Sequence, residues 1–209
     1  MRRLRDLRQP DRRAAPPPLP DLNGPQVTAR LARLGDAERL LAFHTRNVDH
    51  LRRWSPPVPE DFLTIGYWRR WTSAAKTLFD QDRSMRLVLH LRHDEDTRLV
   101  GQINLSNIQR GAMAAGTVGY QIDRSLEGRG LMAEAMGMAV DFCFGPFGLH
   151  RIIATYMPEN RRSAALLRRL GFEVEGYARD YLFIDGQWRD HVLTSMIAPI
   201  AKDPCPLSR

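Results

Sequence analysis

Gly119-Tyr-Gln-Ile-Asp-Arg-Ser-Leu-Glu-Gly-Arg-Gly-Leu-Met132 reads as the end of a strand, a glycine loop and the start of a helix. Tyr120 to Ile122 closes a β-like run, and Gly128 and Gly130 bracket a turn. Beyond the turn, Leu131, Ala135, Met138, Ala139 and Phe142 fall at helical spacing. A helix that begins directly on a glycine loop presents free backbone N–H groups and the positive end of its dipole, which suits a phosphate or pyrophosphate. Glycine lets an anion approach backbone that a Cβ would shield. The same two glycines also satisfy a plain strand-to-helix turn, so the loop alone leaves both readings open. A dinucleotide fingerprint fits poorly, because the third glycine is missing and Asp141 lies inside the helix rather than after a second strand. No Gly-Lys-Ser/Thr follows, which excludes a Walker loop.

Working outward, Val27 to Arg33 alternates as a first strand, and Asp36 is placed to cap a helix whose face is Ala37, Leu40, Leu41, His44, Val48 and Leu51. Trp54-Ser-Pro-Pro-Val-Pro59 breaks that helix, and a second is expected over roughly 61–80, carrying Ile65, Trp68, Ala75 and Phe79. Strands follow at 85–91, 99–108 and 117–122, with a turn at His93-Asp-Glu-Asp96 and a loose link at 113–116. Gly145-Pro146 ends the helix after the glycine loop, and Arg151 to Tyr156 is a strand. Asn160 caps a helix that runs to Leu170 and is closed by Gly171. Strands at 172–177, 181–184 and 188–197 complete the pattern, the last two joined by Asp185-Gly186 as a type I′ hairpin. This order of elements predicts an α/β (α+β) domain with a single mixed sheet and helices on both faces.

The chain has 209 residues, 43% of them hydrophobic, which suits one domain with a full core. The expected organisation is an Arg/Pro-rich disordered extension over 1–25, a domain over 26–198 and a tail over 199–209. No apolar run is long enough to span a membrane, and the N-terminus lacks the apolar segment of a secretory signal. Cys143 and Cys205 read as free thiols. These features predict a cytoplasmic protein. No His/Cys cluster has metal-ligand spacing, so no metal is expected. The net charge is +7; residues 1–25 hold six Arg against Asp6, Asp11 and Asp21, leaving +4 for the rest. A basic balance favours anionic partners, such as RNA touched by the Arg-rich extension, or a polyphosphate cofactor.

A second stretch narrows the reading. Met157-Pro-Glu-Asn-Arg-Arg-Ser-Ala-Ala-Leu-Leu-Arg-Arg-Leu-Gly-Phe-Glu-Val-Glu-Gly176, taken with the glycine loop, resembles the GNAT acyl-CoA-dependent N-acetyltransferases. The closing stretch from Glu175 to His191 is similar to the RimJ/RimL branch of that family, on its RimJ side, which acetylates protein N-termini. The resemblance runs from about residue 27 to 198. It implies a mostly antiparallel twisted sheet with a splayed central strand pair. It implies acetyl-CoA as the cofactor, held by Tyr120, Gln121, Ile122, Glu127, Gly128, Arg129, Gly130, Leu131 and Met132, with Asn160 and Ser163 at the pantetheine and thiol end. Glu127 departs from the Gln or Arg with which the family loop usually opens, and Met132 from the usual Gly or Ala. An acid at Glu127 is expected to weaken cofactor binding slightly.

Acetyl transfer needs a neutral amine, a polarised thioester carbonyl and a proton for the leaving thiolate. At pH 7 roughly 10% of an α-amine is neutral but only about 0.04% of a lysine amine. Ser163, one turn after the Asn160 cap, is the candidate acid; local helix hydrogen bonding explains it also. Glu175 is the candidate base, against a plain solvated strand acid. Trp54, Asn104, Asn107 and Trp188 are the candidate acceptor contacts, while His44, His90 and His191 read as structural or exposed. The expected acceptor is an N-terminal Ala or Ser, with ribosomal protein S5 or the ribosome as the partner the resemblance suggests. A monomer and a homodimer are both compatible. Two rivals remain at this stage: an enzyme of the same fold acting on a small amine, and a ribosome- or RNA-binding protein using its Arg tail. The net-basic segment 44–75 argues against a polycationic acceptor.

Overall fold

The computed structural model describes residues 17–93 and 98–199. Most of the N-terminal extension, residues 94–97, which hold most of the turn expected at His93-Asp-Glu-Asp96, and the tail from 200 onward lie outside the described residues. The chain runs β1 (Asp21–Asn23), β2 (Val27–Leu31), α1 (Ala37–Arg52), α2 (Ile65–Ser73), α3 (Ala75–Asp80), β3 (Met85–Leu91), β4 (Leu99–Gln109) and β5 (Ala115–Ile122). It continues with α4 (Leu131–Phe144), β6 (Arg151–Tyr156), α5 (Arg161–Leu170), β7 (Glu173–Ile184) and β8 (Gln187–Ile197). The strands form one sheet in the order β1-β2-β3-β4-β5-β6-β8-β7. Every pairing is antiparallel except β5 with β6. This is the single mixed, mostly antiparallel sheet that the resemblance implies.

The β5–β6 pairing is short. It covers Ala115↔Arg151, Gly116↔Ile152 and Thr117↔Ile153 and then stops, although β5 goes on to Ile122 and β6 to Tyr156. β5 stays paired with β4 up to Ile122, and β6 with β8 up to Tyr156. Each strand thus keeps its outer neighbour while the inner edges part. The splay expected from the resemblance is present, and it opens at the glycine loop.

Four local readings change. The stretch assigned to the extension gives up Asp21–Asn23 to β1, which pairs with β2 through Asp21↔Arg30, because Gly24 turns the chain back with its N–H on the Val27 carbonyl. The helix expected over 61–80 becomes α2 and α3. It starts only where Thr64 accepts from Tyr67 N–H, and it breaks at Ala74, just after the Thr72 and Ser73 hydroxyls bond back to the carbonyls of Trp68 and Arg70. Asp36 does precede α1, but its carboxylate accepts two 2.8 Å bonds from the Arg30 guanidinium rather than capping the helix. The two strands expected at 172–177 and 181–184 are one, β7. Its register shifts between Ala178 and Leu182, where Asp190 accepts from the Asp180 N–H and the Tyr177 hydroxyl. The hairpin turn has Asp185 at φ 48° and Gly186 at φ 78°, the pair of positive angles a type I′ turn requires.

The end of β5 is pinned by Asp123. Burial opposes its ionisation, but hydrogen bonds from Arg46, Ser125 and Arg98 outweigh this and hold the carboxyl far below the ordinary range. Asn47 on α1 adds a donor to Asp123 and accepts from the Arg124 N–H. Nearby, His44 on α1 is 3% exposed and stacks on Trp68, with ring centroids 4.4 Å apart.

Burial pushes His44 down to about 4 from an ordinary 6.5. The fold holds this ring neutral, whereas the unfolded chain protonates it near 6.5. Its contribution to stability is therefore full above that pH and is lost as pH falls from there toward 4. Urea unfolding at pH 7 and pH 4 should show the loss in the wild type. His44→Phe, which keeps a ring on Trp68 and cannot titrate, should lose about 3 kcal/mol less over the same interval.

Candidate active site

A cleft of about 760 Å³ occupies the splay. Its geometry follows from strand parity, because alternate side chains point to opposite faces and paired residues share a face. Gln121 and Gly119 share the face of Thr117 on β5, and Gln102 and Asn104 on β4 stand opposite them. Thr117 pairs with Ile153, which shares its face with Thr155 on β6. Thr155 pairs with Leu193 on β8, and His191 lies two residues before it. This is the face of α1, since Gln121 Nε2 donates to Ser55 Oγ at 3.1 Å in the loop that follows that helix. Tyr120 and Tyr156 occupy the other face. There α5 meets the sheet, and α4 packs beside it. The cleft passes between the two faces.

On the α4–α5 side, Gly128 and Gly130 take φ values of 76° and 80°, and open space stands where a Cβ would project from either. α4 begins at Gly130 without a side-chain cap, so the N–H groups of its first turn face the cleft that Leu131, Met132 and Ala133 line. Arg129, Arg161 and Arg169 line the same side, and none is in an ion pair among the described residues. This donor set fits a pyrophosphate and further phosphate groups. Glu127 also lines the cleft, but it is not a bare acid. His50 lies 3.2 Å from its Oε1, and Arg162 donates to its Oε2. The cost expected from an acid at this position is thereby reduced. Met132 is buried in the core, so its size serves packing.

Asn160 caps α5, its Oδ1 accepting from Ser163 N–H at 3.1 Å. That bond fixes the first turn and holds Ser163 against the sheet. The Ser163 hydroxyl lies 2.5 Å from the Tyr120 hydroxyl. Burial pushes the Tyr120 phenol up to about 12, so it stays protonated and can donate to Ser163 Oγ. Ser163 then keeps its own proton for another acceptor.

On the α1 side, Trp54, Ser55, Gln102 and Asn104 form the wall with Gln121. Gln102 is 6% exposed and donates to Gln121 at 2.7 Å, and the Asn104 Oδ1 is buried without a partner among the described residues. The structure thus brings together Trp54, Asn104, Tyr120, Gln121, Ile122, the 127–132 loop, Asn160 and Ser163. Three predicted residues stand elsewhere. Glu175 does not line the cleft; Arg151 donates to its carboxylate, and its pKa is lowered chiefly by hydrogen bonds from Ser195 and Arg151. Arg151 is the far end of β6 from the splay, so Glu175 is held away from the cleft. Asn107, at φ 50° in the bulge late in β4, and Trp188, 61% exposed against Phe183 in the hairpin, also lie off the cleft. Sequence reasoning passed over Ser55 and Gln102, and it read His191 as structural or exposed. The available signal was a polar residue at an inward position of a central strand, as at Gln102 and Asn104 between Ile103 and Leu105.

A split sheet with an anion cradle on one face, a hydroxyl pair beside it and an uncharged polar wall on the other defines an acyl-CoA-dependent acyltransferase. Residues 26–173 match the family model described as an acetyltransferase (GNAT) domain. The chain belongs to the GNAT acetyltransferase family. It is 38% identical over 174 residues to the [ribosomal protein uS5]-alanine N-acetyltransferase of Escherichia coli, covering 83% of this chain and 89% of that protein. The crystal structure of ribosomal-protein-S5-alanine acetyltransferase from Vibrio fischeri superposes with a TM-score of 0.83 at 33% identity, covering 88% of this chain and all (100%) of that one. Mycobacterium smegmatis RimJ in complex with CoA-disulfide superposes with a TM-score of 0.78 at 31% identity, covering 88% and 89% of the two chains. The family's donor, acetyl-CoA, supplies an activated acetyl thioester. The residues that would hold it are the 127–132 loop, Arg129, Arg161, Arg169 and Asn160.

The two glycine environments in this region should separate in one experiment. Gly130→Ala forces a side chain into a left-handed backbone, so it should cost about 1 kcal/mol of stability and weaken CoA binding about tenfold by calorimetry. Gly137→Ala, inside α4 with open space around the new Cβ, should stabilise by up to about 1 kcal/mol and leave CoA affinity unchanged.

Proposed function

We propose that the enzyme transfers acetyl from acetyl-CoA to the α-amine of a protein N-terminus beginning with Ala or Ser, with ribosomal protein S5 as the foremost acceptor in the cytoplasm. The observation that carries this reading is the acceptor-side wall. Arg53, Trp54, Ser55, Gln102, Asn104 and Gln121 include no carboxylate. A site for a polyamine or a cationic antibiotic needs anionic groups to hold its several charges, and this wall offers none. It offers amide and hydroxyl groups suited to a peptide backbone, with Trp54 for apolar contact. The two relatives named for S5-alanine acetylation support the same acceptor.

Within this reading, transfer is direct, without an acylated enzyme residue. Tyr120 donates to Ser163 Oγ and so turns the Ser163 proton toward the sulfur that leaves. Asn160 holds Ser163 in place through its backbone N–H. An α-amine lightens the deprotonation step, because roughly a tenth of it is already neutral at pH 7. Glu175 has no part in the chemistry.

Acetyl transfer should be seen on a peptide with a free N-terminal Ala. It should be undetectable on the same peptide blocked at the N-terminus and carrying an internal Lys, with thiol release as the assay. Ser163→Ala should lower kcat by about 100-fold while acetyl-CoA binds within about twofold of the wild type. Equal turnover of both peptides would refute the N-terminal reading.

A further inference from the structure

The proposed reaction still lacks a group to receive the proton of the acceptor ammonium. Of the carboxylates, Glu175 lies off the cleft and is held by Arg151; of the two that line it, Glu127 is held by His50 and Arg162, and Glu159 faces Arg189 at 3.7 Å. The imidazole of His50 is itself engaged by Glu127. His191 remains. It sits on β8, is 3% exposed, and lines the cleft. By parity it shares the face of Thr155, Gln121 and Asn104, the face on which the acceptor wall stands.

The ring's protonation pattern follows from its partner. Nδ1 lies 3.0 Å from the backbone carbonyl of Arg189. A carbonyl can only accept, so Nδ1 carries the hydrogen and the neutral ring has its lone pair on Nε2. No hydrogen bond engages Nε2 among the described residues. The Tyr181 ring packs at 5.4 Å and holds the imidazole plane. We propose that His191 is the general base of the reaction, with Nε2 taking the proton from the α-ammonium of the acceptor. This rests on the reading of the cleft as an N-terminal acetyltransferase site.

The protons balance. The acceptor nitrogen gives its first proton to His191 Nε2. It forms its bond to the acetyl carbon as the carbon–sulfur bond breaks, and it sheds a second proton to water. The sulfur takes the Ser163 hydroxyl proton, Ser163 is replenished from water, and His191 releases its proton to solvent. One proton leaves per turnover. Base and acid thus stand on opposite faces of the sheet, His191 with the amine and Ser163 with the thiol. Among the described residues, the titratable and charged groups around His191 are Arg189 and Asp190 on its own strand, Tyr181 and Arg179 on β7 and Glu159 before α5, while Tyr156 on β6 points to the other face.

His191→Asn tests this, because its amide N–H can still donate to the Arg189 carbonyl while nothing replaces Nε2. The measurements are kcat/KM for an Ala-start peptide from pH 5.5 to 9.5, the acetyl-CoA Kd and a thermal melt, on the full chain. His191→Gln is the companion variant. At pH 7 a loss of about 100-fold is expected, with acetyl-CoA Kd within about twofold. The acid limb should move up to the pKa of the peptide amine, so that the deficit shrinks as pH rises above about 8. Either of three results would overturn the proposal: rates within threefold of the wild type, a loss that persists unrelieved at pH 9.5, or an unmoved acid limb in the residual activity of both variants, whatever their melting temperature. If the wild type ignores the peptide and turns over a small amine instead, the acceptor reading fails. The same profile is then measured on that amine, and it decides the role of His191 separately.

Discussion

The active site depends on the parting of β5 and β6 after three paired residues. Two strands that twist in the same sense can stay paired only if both edges follow one surface. Here β5 is committed to β4 as far as Ile122 and β6 to β8 as far as Tyr156, and the inner edges come apart. The gap connects the two faces of a sheet that would otherwise separate them. An amine on the α1 side and a thioester on the α4–α5 side can meet only there.

A gap at the centre of a sheet has to be held from both ends. At the β5 end this falls to Asp123. Its carboxylate gathers Arg46 and Asn47 from α1, Arg98 from the start of β4 and Ser125 from the turn beyond it. Breaking a buried charge cluster of this kind by removing one partner strands the others, which is why such clusters fix geometry even where they add little net stability. The strand end, the turn beyond it and the C-terminal half of α1 are therefore tied together. Glu127 extends the arrangement across the cleft, joining His50 at the end of α1 to Arg162 at the start of α5. An acid beside a phosphate cradle is tolerable because one of its oxygens faces the Arg162 guanidinium and the other the His50 ring.

The same divergence sorts the polar chemistry by face. Tyr120 and Gln121 are adjacent in sequence and point to opposite sides. Tyr120 reaches Ser163 and the cofactor side, and Gln121 reaches Ser55, Gln102 and the acceptor side. One residue of register slip would exchange the two and place an amide against Ser163. The bulges that disturb β7 leave the β6–β8 register continuous from Arg151 to Tyr156, so His191 keeps its place on the acceptor face.

Much of this was legible in the chain itself, wherever the signal is local. Gly128 and Gly130 announce positive backbone angles, Asn160 with Ser163 announces a helix cap, and Asp185-Gly186 announces a hairpin turn, because each is governed by the sterics and hydrogen bonding of a few consecutive residues. With helical and alternating periodicities between them, these signals were enough for most of the element order and for the cofactor side of the cleft. What only the tertiary structure decided is which distant residues share a face. Glu175 and His191 sit on neighbouring strands, and their sequence context favoured the acid as the base. The register of β6 against β8 puts His191 in the cleft, and the bond from Arg151 holds the Glu175 side chain away from it. Trp188 and Asn107 fall away for the same reason, and β1 forms only because β2 offers it an edge. Strand pairing is a non-local choice, and the acceptor side of this site is made entirely of such choices.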